Sequence, residues 1–184
     1  SGRLGGKLRT VEFAGGSFDV GAEAFIVRRP EVPALAAELG LSDHIVHPGG
    51  RRPLIWSGGR VNALPQGTLM GVPVGADSVA GLVDDETMAK IAAEPTRNFE
   101  WVRGSDVSVA ELVADRFGEQ VVRRSVDPLL GGVYSGTADT IGVRAALPTL
   151  AAALDDGAPN LSAAVRHALP ASGEGPVFGA FRDG

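Results

Sequence analysis

The chain of 184 residues has no cysteine. Disulfides, thiolate metal sites and cysteine nucleophiles are therefore excluded, and the redox compartment stays open. Lysine is nearly absent too: only Lys7 and Lys90 occur among 17 basic residues, leaving 15 arginines against 22 acidic side chains and a formal charge of −5. That slight acidity argues against nucleic-acid binding as the main task. No apolar stretch reaches the ~18 residues of a membrane span, and the opening residues lack the apolar core of a signal peptide. The usual catalytic sets are missing as well. No Walker loop, zincin motif or nucleophile elbow occurs. The one G-x-G, Gly173-Glu174-Gly175, runs into Pro176 with no helix to follow, so it is no dinucleotide fingerprint.

What is present describes a globular chain. Hydrophobic residues make up 44% and charged residues 21%, enough to bury a core over a length of about one domain. Turns and close backbone approaches are frequent, with 26 glycines and 12 prolines. Arginine suits bidentate recognition of carboxylate or phosphate, although a GC-rich genome explains the same excess. His44 and His47 stand three apart in a loop-like stretch and read as solvated rather than metal-binding. Asp84-Asp85-Glu86 complements a helix dipole at its start. Asp155-Asp156 reads as a solvated helix end.

The spacing predicts an α+β chain, a mainly helical body carrying β-hairpins. Leu8–Phe13 alternates with period two and returns through Ser17–Val20, with Gly15-Gly16 supplying the positive φ of the turn. A helix follows Pro30, with Val32, Leu35, Ala36 and Leu39 on its apolar face and Gly40 at its end. Pro53–Ser57 and Arg60–Leu64 flank Gly58-Gly59, a primed two-residue turn. Further helices are predicted at Asp84–Ala93, from the capping box Ser108-Val109-Ala110-Glu111 to Phe117, from Glu119 to Leu130 with a bend near Pro128, at Gly142–Leu154, and after Asn160. Gly131–Gly136 reads as a turn that exposes its backbone.

Two stretches suggest backbone chemistry. Arg3-Leu4-Gly5-Gly6-Lys7, running into Thr10, pairs glycines with cations, so that main-chain N–H groups can face a ligand. Asp19-Val20-Gly21-Ala22-Glu23-Ala24 then closes the return strand. Taken alone, each is an ordinary tight turn. Together, R-x-G-G-[KR]-x-x-[ST] followed by an acidic residue and glycine resembles the flavin amine oxidase superfamily just after its dinucleotide-binding unit. Asn62-Ala63-Leu64-Pro65-Gln66-Gly67 resembles the L-P-x-G segment of the protoporphyrinogen/coproporphyrinogen oxidases. Asp115–Val122 is similar to their R-x-G-x-E-V-V helix, and Asp127–Gly136 to their E-P-L-L-x-G-[IV]-[YF]-[AS]-G stretch. Phe178–Gly184 is similar to the segment where that family returns to its flavin domain.

This resemblance implies an oxygen-dependent, FAD-containing oxidase of haem synthesis that takes a porphyrinogen to a porphyrin and yields hydrogen peroxide. The arginine bias suits an actinobacterial-type member, and the resemblance to Gram-positive members of the family implies coproporphyrinogen III as substrate rather than protoporphyrinogen IX. It implies residues 1–28 as a remnant of the FAD domain, 29–176 as a helical substrate domain and 177–184 as the return. Arg3, Gly5, Gly6, Lys7, Gly21, Ala22, Glu23 and Ala24 would then face FAD. Ala22 stands where the family commonly has proline. Gly131, Gly132 and Tyr134 would lie against the macrocycle, and Arg51 and Arg52 near its propionates, with a solvated arginine pair as the alternative. No residue is implied as an acid or base. The location implied is cytoplasmic, with peripheral membrane association and a haem-pathway partner enzyme as further expectations. The opening Ser1–Gly6 reads as cut rather than begun, so the pyrophosphate-binding strand and helix would lie upstream and the remaining substrate site downstream. On that expectation the chain alone neither holds FAD tightly nor turns over. A non-catalytic porphyrin-binding or partner-docking module is the competing reading.

Overall fold

The computed structural model describes residues 5–49, 53–170 and 176–182. The chain divides into two compact units, residues 1–51 with 172–184 and residues 52–171. The motif-based division between 28 and 29 is a different one. The reason is strand pairing: the late strand at 178–181 joins segments on both sides of that point.

The first unit opens with β1 (Thr10–Phe13) and β2 (Gly16–Asp19), antiparallel in the register Thr10↔Asp19 and Phe13↔Gly16. That register puts Ala14-Gly15 in the turn, with φ of +50° and +83°. The expected Gly15-Gly16 turn is thus displaced by one residue, and Gly16 is the first residue of β2. A short β3 (Ala24–Ile26) leads to α1 (Glu31–Glu38), which ends at Gly40 with φ +71°. The predicted apolar face of α1 is only partly used. Ala36 is buried, but Leu35 and Leu39 are exposed. Among the described residues of this unit only Ala36 and Gly179 are buried, so there is no core for the other side chains to enter. β4 (Ile45–Val46) completes the amino-terminal part.

The second unit carries the core. β5 (Leu54–Ser57) and β6 (Arg60–Ala63) form the expected hairpin around Gly58-Gly59, at φ +62° and +74°. β7 (Thr68–Leu69) and β8 (Val72–Pro73) pair across a tight turn at Met70-Gly71. α2 (Asp85–Ala93) is capped by Asp84, whose Oδ1 accepts from Thr87 N at 2.9 Å. Ser108 does the same for α3 (Val109–Phe117), accepting from Glu111 N at 3.0 Å. Such side-chain acceptors satisfy amides that a helix start leaves free.

α4 (Glu119–Val121) runs directly into a π-helical segment, Val122–Val126, and then α5 (Asp127–Tyr134) with Pro128 in its first turn. Gly131 and Gly132 therefore lie inside a helix, a correction to the predicted turn. Leu130 is anchored in the core, and α5 runs past it to Tyr134, where Ser135 at φ +55° ends the helix. The predicted Gly142–Leu154 helix is broken at Leu147 into α6 (Val143–Ala146) and α7 (Pro148–Asp155), because Pro148 opens a new helix. α8 (Leu161–Ala168) is capped by Asn160, which accepts from Ala163 N at 2.8 Å. Ile91, Phe117, Leu130, Leu150 and Leu161 are fully buried together, one from each of α2, α3, α5, α7 and α8. The chain then returns to the first unit as β9 (Phe178–Phe181), the middle strand of the sheet β3-β9-β4.

Candidate functional site

In the first unit the two glycine-bearing stretches meet. Gly5 and Gly6 take φ of +97° and +54°, and Leu8 N donates to Gly5 O at 2.9 Å to close the turn that carries Lys7. Ala22 N donates to Lys7 O at 2.9 Å, and Val20 N donates to Arg9 O at 2.8 Å. Gly21 is held between those bonds. A Cβ there would fall on the Lys7 carbonyl oxygen and lie 3.1 Å from Arg9 N, so no other residue fits. Nothing lies within 4 Å of a Cβ built on Gly6, which leaves that main chain open to a ligand.

Ala22, Glu23 and Ala24 line a cleft of about 530 Å³ with Leu8, Thr10 and Phe181. Its floor is braced by the tilted rings of Phe25 and Phe181, 5.6 Å apart. Arg3 lies outside the described residues.

In the second unit the predicted residues sit on the last turns of α5. Gly132 has open space where a Cβ would stand, and Val133 and Tyr134 beside it are exposed. The phenol of Tyr134 donates to Ala146 O at 3.1 Å, which leaves its ring rather than its hydroxyl to meet a ligand. Gly131 faces the chain itself, with Gly136 O 3.6 Å from a built Cβ. β5 packs beside α5. Leu54 and Trp56 of β5 pair with Ala63 and Val61 of β6, and all four are exposed. The end of α5 and the β5–β6 ribbon thus each expose apolar side chains. Arg51 and Arg52 lie outside the described residues, as does Gly173-Glu174-Gly175.

Two polar clusters escaped the sequence. Asp155 is not a solvated helix end. Its carboxylate takes Arg144 in a bidentate pair at 2.9 Å for each bond, together with Trp101 Nε1 at 2.9 Å and Gly104 N at 3.2 Å. Those donors, Arg144 first, hold the Asp155 carboxyl well below the usual carboxylate range, and the same pair raises the Arg144 guanidinium. Glu94 and Arg116 form a buried ion pair at 3.2 Å. Neither shows a local signal, because the partners are far apart in sequence. Asp84 also titrates below the usual range, held by Thr87 and Gln120.

These clusters are structural ties rather than acid or base groups in a cleft. A groove of about 620 Å³ beside Phe99, Trp101, Leu112 and Arg116 holds none of the predicted site residues. His47 Nδ1 lies 3.1 Å from Phe178 O. Among the described residues no group of His, Asp and Glu is placed to hold a metal ion.

Known proteins extend this geometry. Residues 1–172 match the family described as flavin containing amine oxidoreductase. The coproporphyrinogen III oxidase of Mycobacterium tuberculosis is 60% identical over 99% of this chain and 40% of its own length. That of Propionibacterium freudenreichii is 32% identical over 80% of this chain and 28% of its own length. A crystal structure described as a protoporphyrinogen oxidase from Exiguobacterium sp. 255-15 is 25% identical, with a TM-score of 0.79 over 99% of this chain and 40% of that one. The chain thus spans about 40% of the length of the mycobacterial relatives.

Proposed function

The chain belongs to the flavin containing amine oxidoreductase family, and from that premise we propose that it forms the substrate-binding part, with one flavin-facing turn, of an FAD-dependent coproporphyrinogen III oxidase. The observation that carries the substrate is 60% identity with mycobacterial coproporphyrinogen III oxidases along 99% of the chain. The activity is that of a whole oxidase, which takes O2 as acceptor and serves haem synthesis in the cytoplasm. Among the described residues no helix is long and apolar enough to cross a membrane.

The residues present fit a flavin. Gly6 offers unobstructed main chain, Gly5 at φ +97° shapes the turn beside it, Lys7 adds a cation, and Gly21 lets the 22–24 segment pass close by. The family resemblance adds Arg3 to the residues proposed to contact the flavin. Bound flavin would supply two-electron acceptance from the macrocycle and release of those electrons to O2. The protein's share is to bind, orient and keep water away. Gly132 leaves a flat surface on α5, with Val133 and the Tyr134 ring beside it, against which a tetrapyrrole lies. Gly131 keeps that stretch of helix slim, and Arg51 and Arg52 would take propionates.

The Exiguobacterium likeness favours protoporphyrinogen IX as a second substrate, and a porphyrin-binding module without turnover is the reading from another class. Titration of coproporphyrin III and protoporphyrin IX against the chain, followed by porphyrin fluorescence, separates them. Coproporphyrin III should bind more tightly. Gly132→Leu should weaken it at least about tenfold while the fold gains, because glycine in a helix is about 1 kcal/mol worse than most residues. Unchanged binding in that variant removes α5 from the site, and no binding of either porphyrin by the chain alone sinks the reading as a binding module.

A further inference from the structure

The rotation of α5 about its axis decides which of its residues meet the macrocycle, and one buried contact stands where that rotation is set. The helix does not arrive at Asp127 as a plain α-helix. It passes through the π segment Val122–Val126, which is wider by one residue per turn. Each residue of an α-helix turns the chain by about 100°, so gaining or losing that extra residue swings everything downstream by the same angle. Exposed Gly132, Val133 and Tyr134 lie downstream.

The π segment is held from outside the helix. Ser125 is completely buried, and its hydroxyl donates to Gly71 O at 2.7 Å, 54 residues away. A buried helical serine ordinarily turns its hydroxyl back on its own helix, and here it does not. Gly71 sits at φ +87°, and a Cβ on it would fall on the Ser125 carbonyl oxygen with Val126 Cα 2.8 Å away. Met70 beside it takes φ +48°, a conformation that persists only where its surroundings over-determine it. The β7–β8 turn is therefore pressed main chain to main chain against the peptide joining Ser125 to Val126. Val72 and Val126, which flank the contact, are fully buried.

We propose that Ser125 is a positioning residue: its bond to Gly71 keeps the π segment open and so fixes the face that α5 presents to the porphyrinogen. The inference rests on the reading above that α5 lies against the macrocycle. It assigns to the small β7–β8 hairpin a task that no motif announces.

The absence of cysteine makes the test clean. Cysteines placed at exposed Val133 and Thr149 take two nitroxides in the full chain, and pulsed dipolar EPR reads their separation, with porphyrin titrations run on unlabelled chain. Ser125→Ala should shift or broaden that separation by roughly 5 Å, the radius of a helix with its side chains. It should also raise the coproporphyrin III Kd about tenfold, because the binding-competent face of α5 falls to about a tenth of the population, while unfolding stays cooperative. Ser125→Thr, which keeps the hydroxyl, should restore both. Gly71→Ala should move both readouts the same way. An unchanged separation and Kd in Ser125→Ala, with only Tm lowered, overturns the proposal, as does a moved separation with an unmoved Kd. Should the parent chain bind no porphyrin, the reading of α5 as a binding face fails, and the EPR separation alone still decides whether Ser125 sets its rotation.

Discussion

Glutamine in place of Glu94 keeps the side chain's size and removes its charge at a fully buried position. In the native chain Oε1 accepts from Arg116 Nε at 3.2 Å and from Leu161 N at 2.8 Å, and Oε2 accepts from Ser162 N at 3.2 Å. One carboxylate thus neutralises a buried guanidinium and satisfies two amides at the start of α8, where helix dipole and free N–H groups favour negative charge. The amide of glutamine can keep the Oε1 role. Its NH2 then faces the Ser162 N–H, donor against donor. Arg116 retains carbonyl acceptors at Asn98, Glu94 and Arg97, so the loss falls at the low end for a broken buried pair, about 3 kcal/mol. For a unit of this size that lowers Tm by roughly 10 °C, read by circular dichroism at 222 nm. Asp115→Asn is the internal control. Asp115 reaches the same Arg116 at 3.8 Å, but its side chain is 65% exposed, and a surface pair is worth less than about 1 kcal/mol. Equal shifts in the two variants, or a Glu94→Gln shift below about 3 °C, would refute the claim that burial rather than ion pairing as such sets the cost.

Acid sensitivity follows from Asp155. Its pKa is lowered on folding, so its contribution is complete above the unfolded aspartate value of about 3.9 and is lost as pH falls through the folded one. Urea midpoints taken from pH 7 down to pH 2 should therefore drop steeply at the acid end, and Asp155→Asn should flatten that drop; parallel curves would contradict it. Gly21→Ala should open the junction between the two glycine stretches, since the new methyl has to displace the Lys7 carbonyl. Hydrogen exchange at the Ala22 amide, which donates to Lys7 O in the parent chain, should become faster, and an unchanged rate would count against the close approach.

Local rules read much of the fold directly. Asp84, Ser108 and Asn160 each cap the helix their spacing announced, because a cap needs only its own three or four neighbours. Gly58-Gly59 placed the second hairpin for the same reason. The misses lie where distant contacts decide. Nothing near Asp155 shows that Arg144 and Trp101 will close on it. The Ala14-Gly15 turn needed an alanine at positive φ, which pattern reasoning gives to glycine. Gly131-Gly132 looked like a turn by composition, yet the helix continues because Leu130 is anchored in the core. The two glycine stretches of the first unit were recognisable one by one, but their meeting depended on the Ala22–Lys7 bond across the hairpin.

The order of strands in the first unit also sets a timetable. β9 is the middle strand of its sheet, and its partners β3 and β4 lie at 24–26 and 45–46. A chain emerging from the ribosome at about 5–20 residues per second holds β3 and β4 without their shared neighbour for roughly 10 s, until residue 181 is out. The second unit, residues 52–171, has by then been fully synthesised. The glycine turn therefore shares its unit with a sheet that cannot close before residue 181 is made, and on the proposal that this turn faces flavin, loading follows that step.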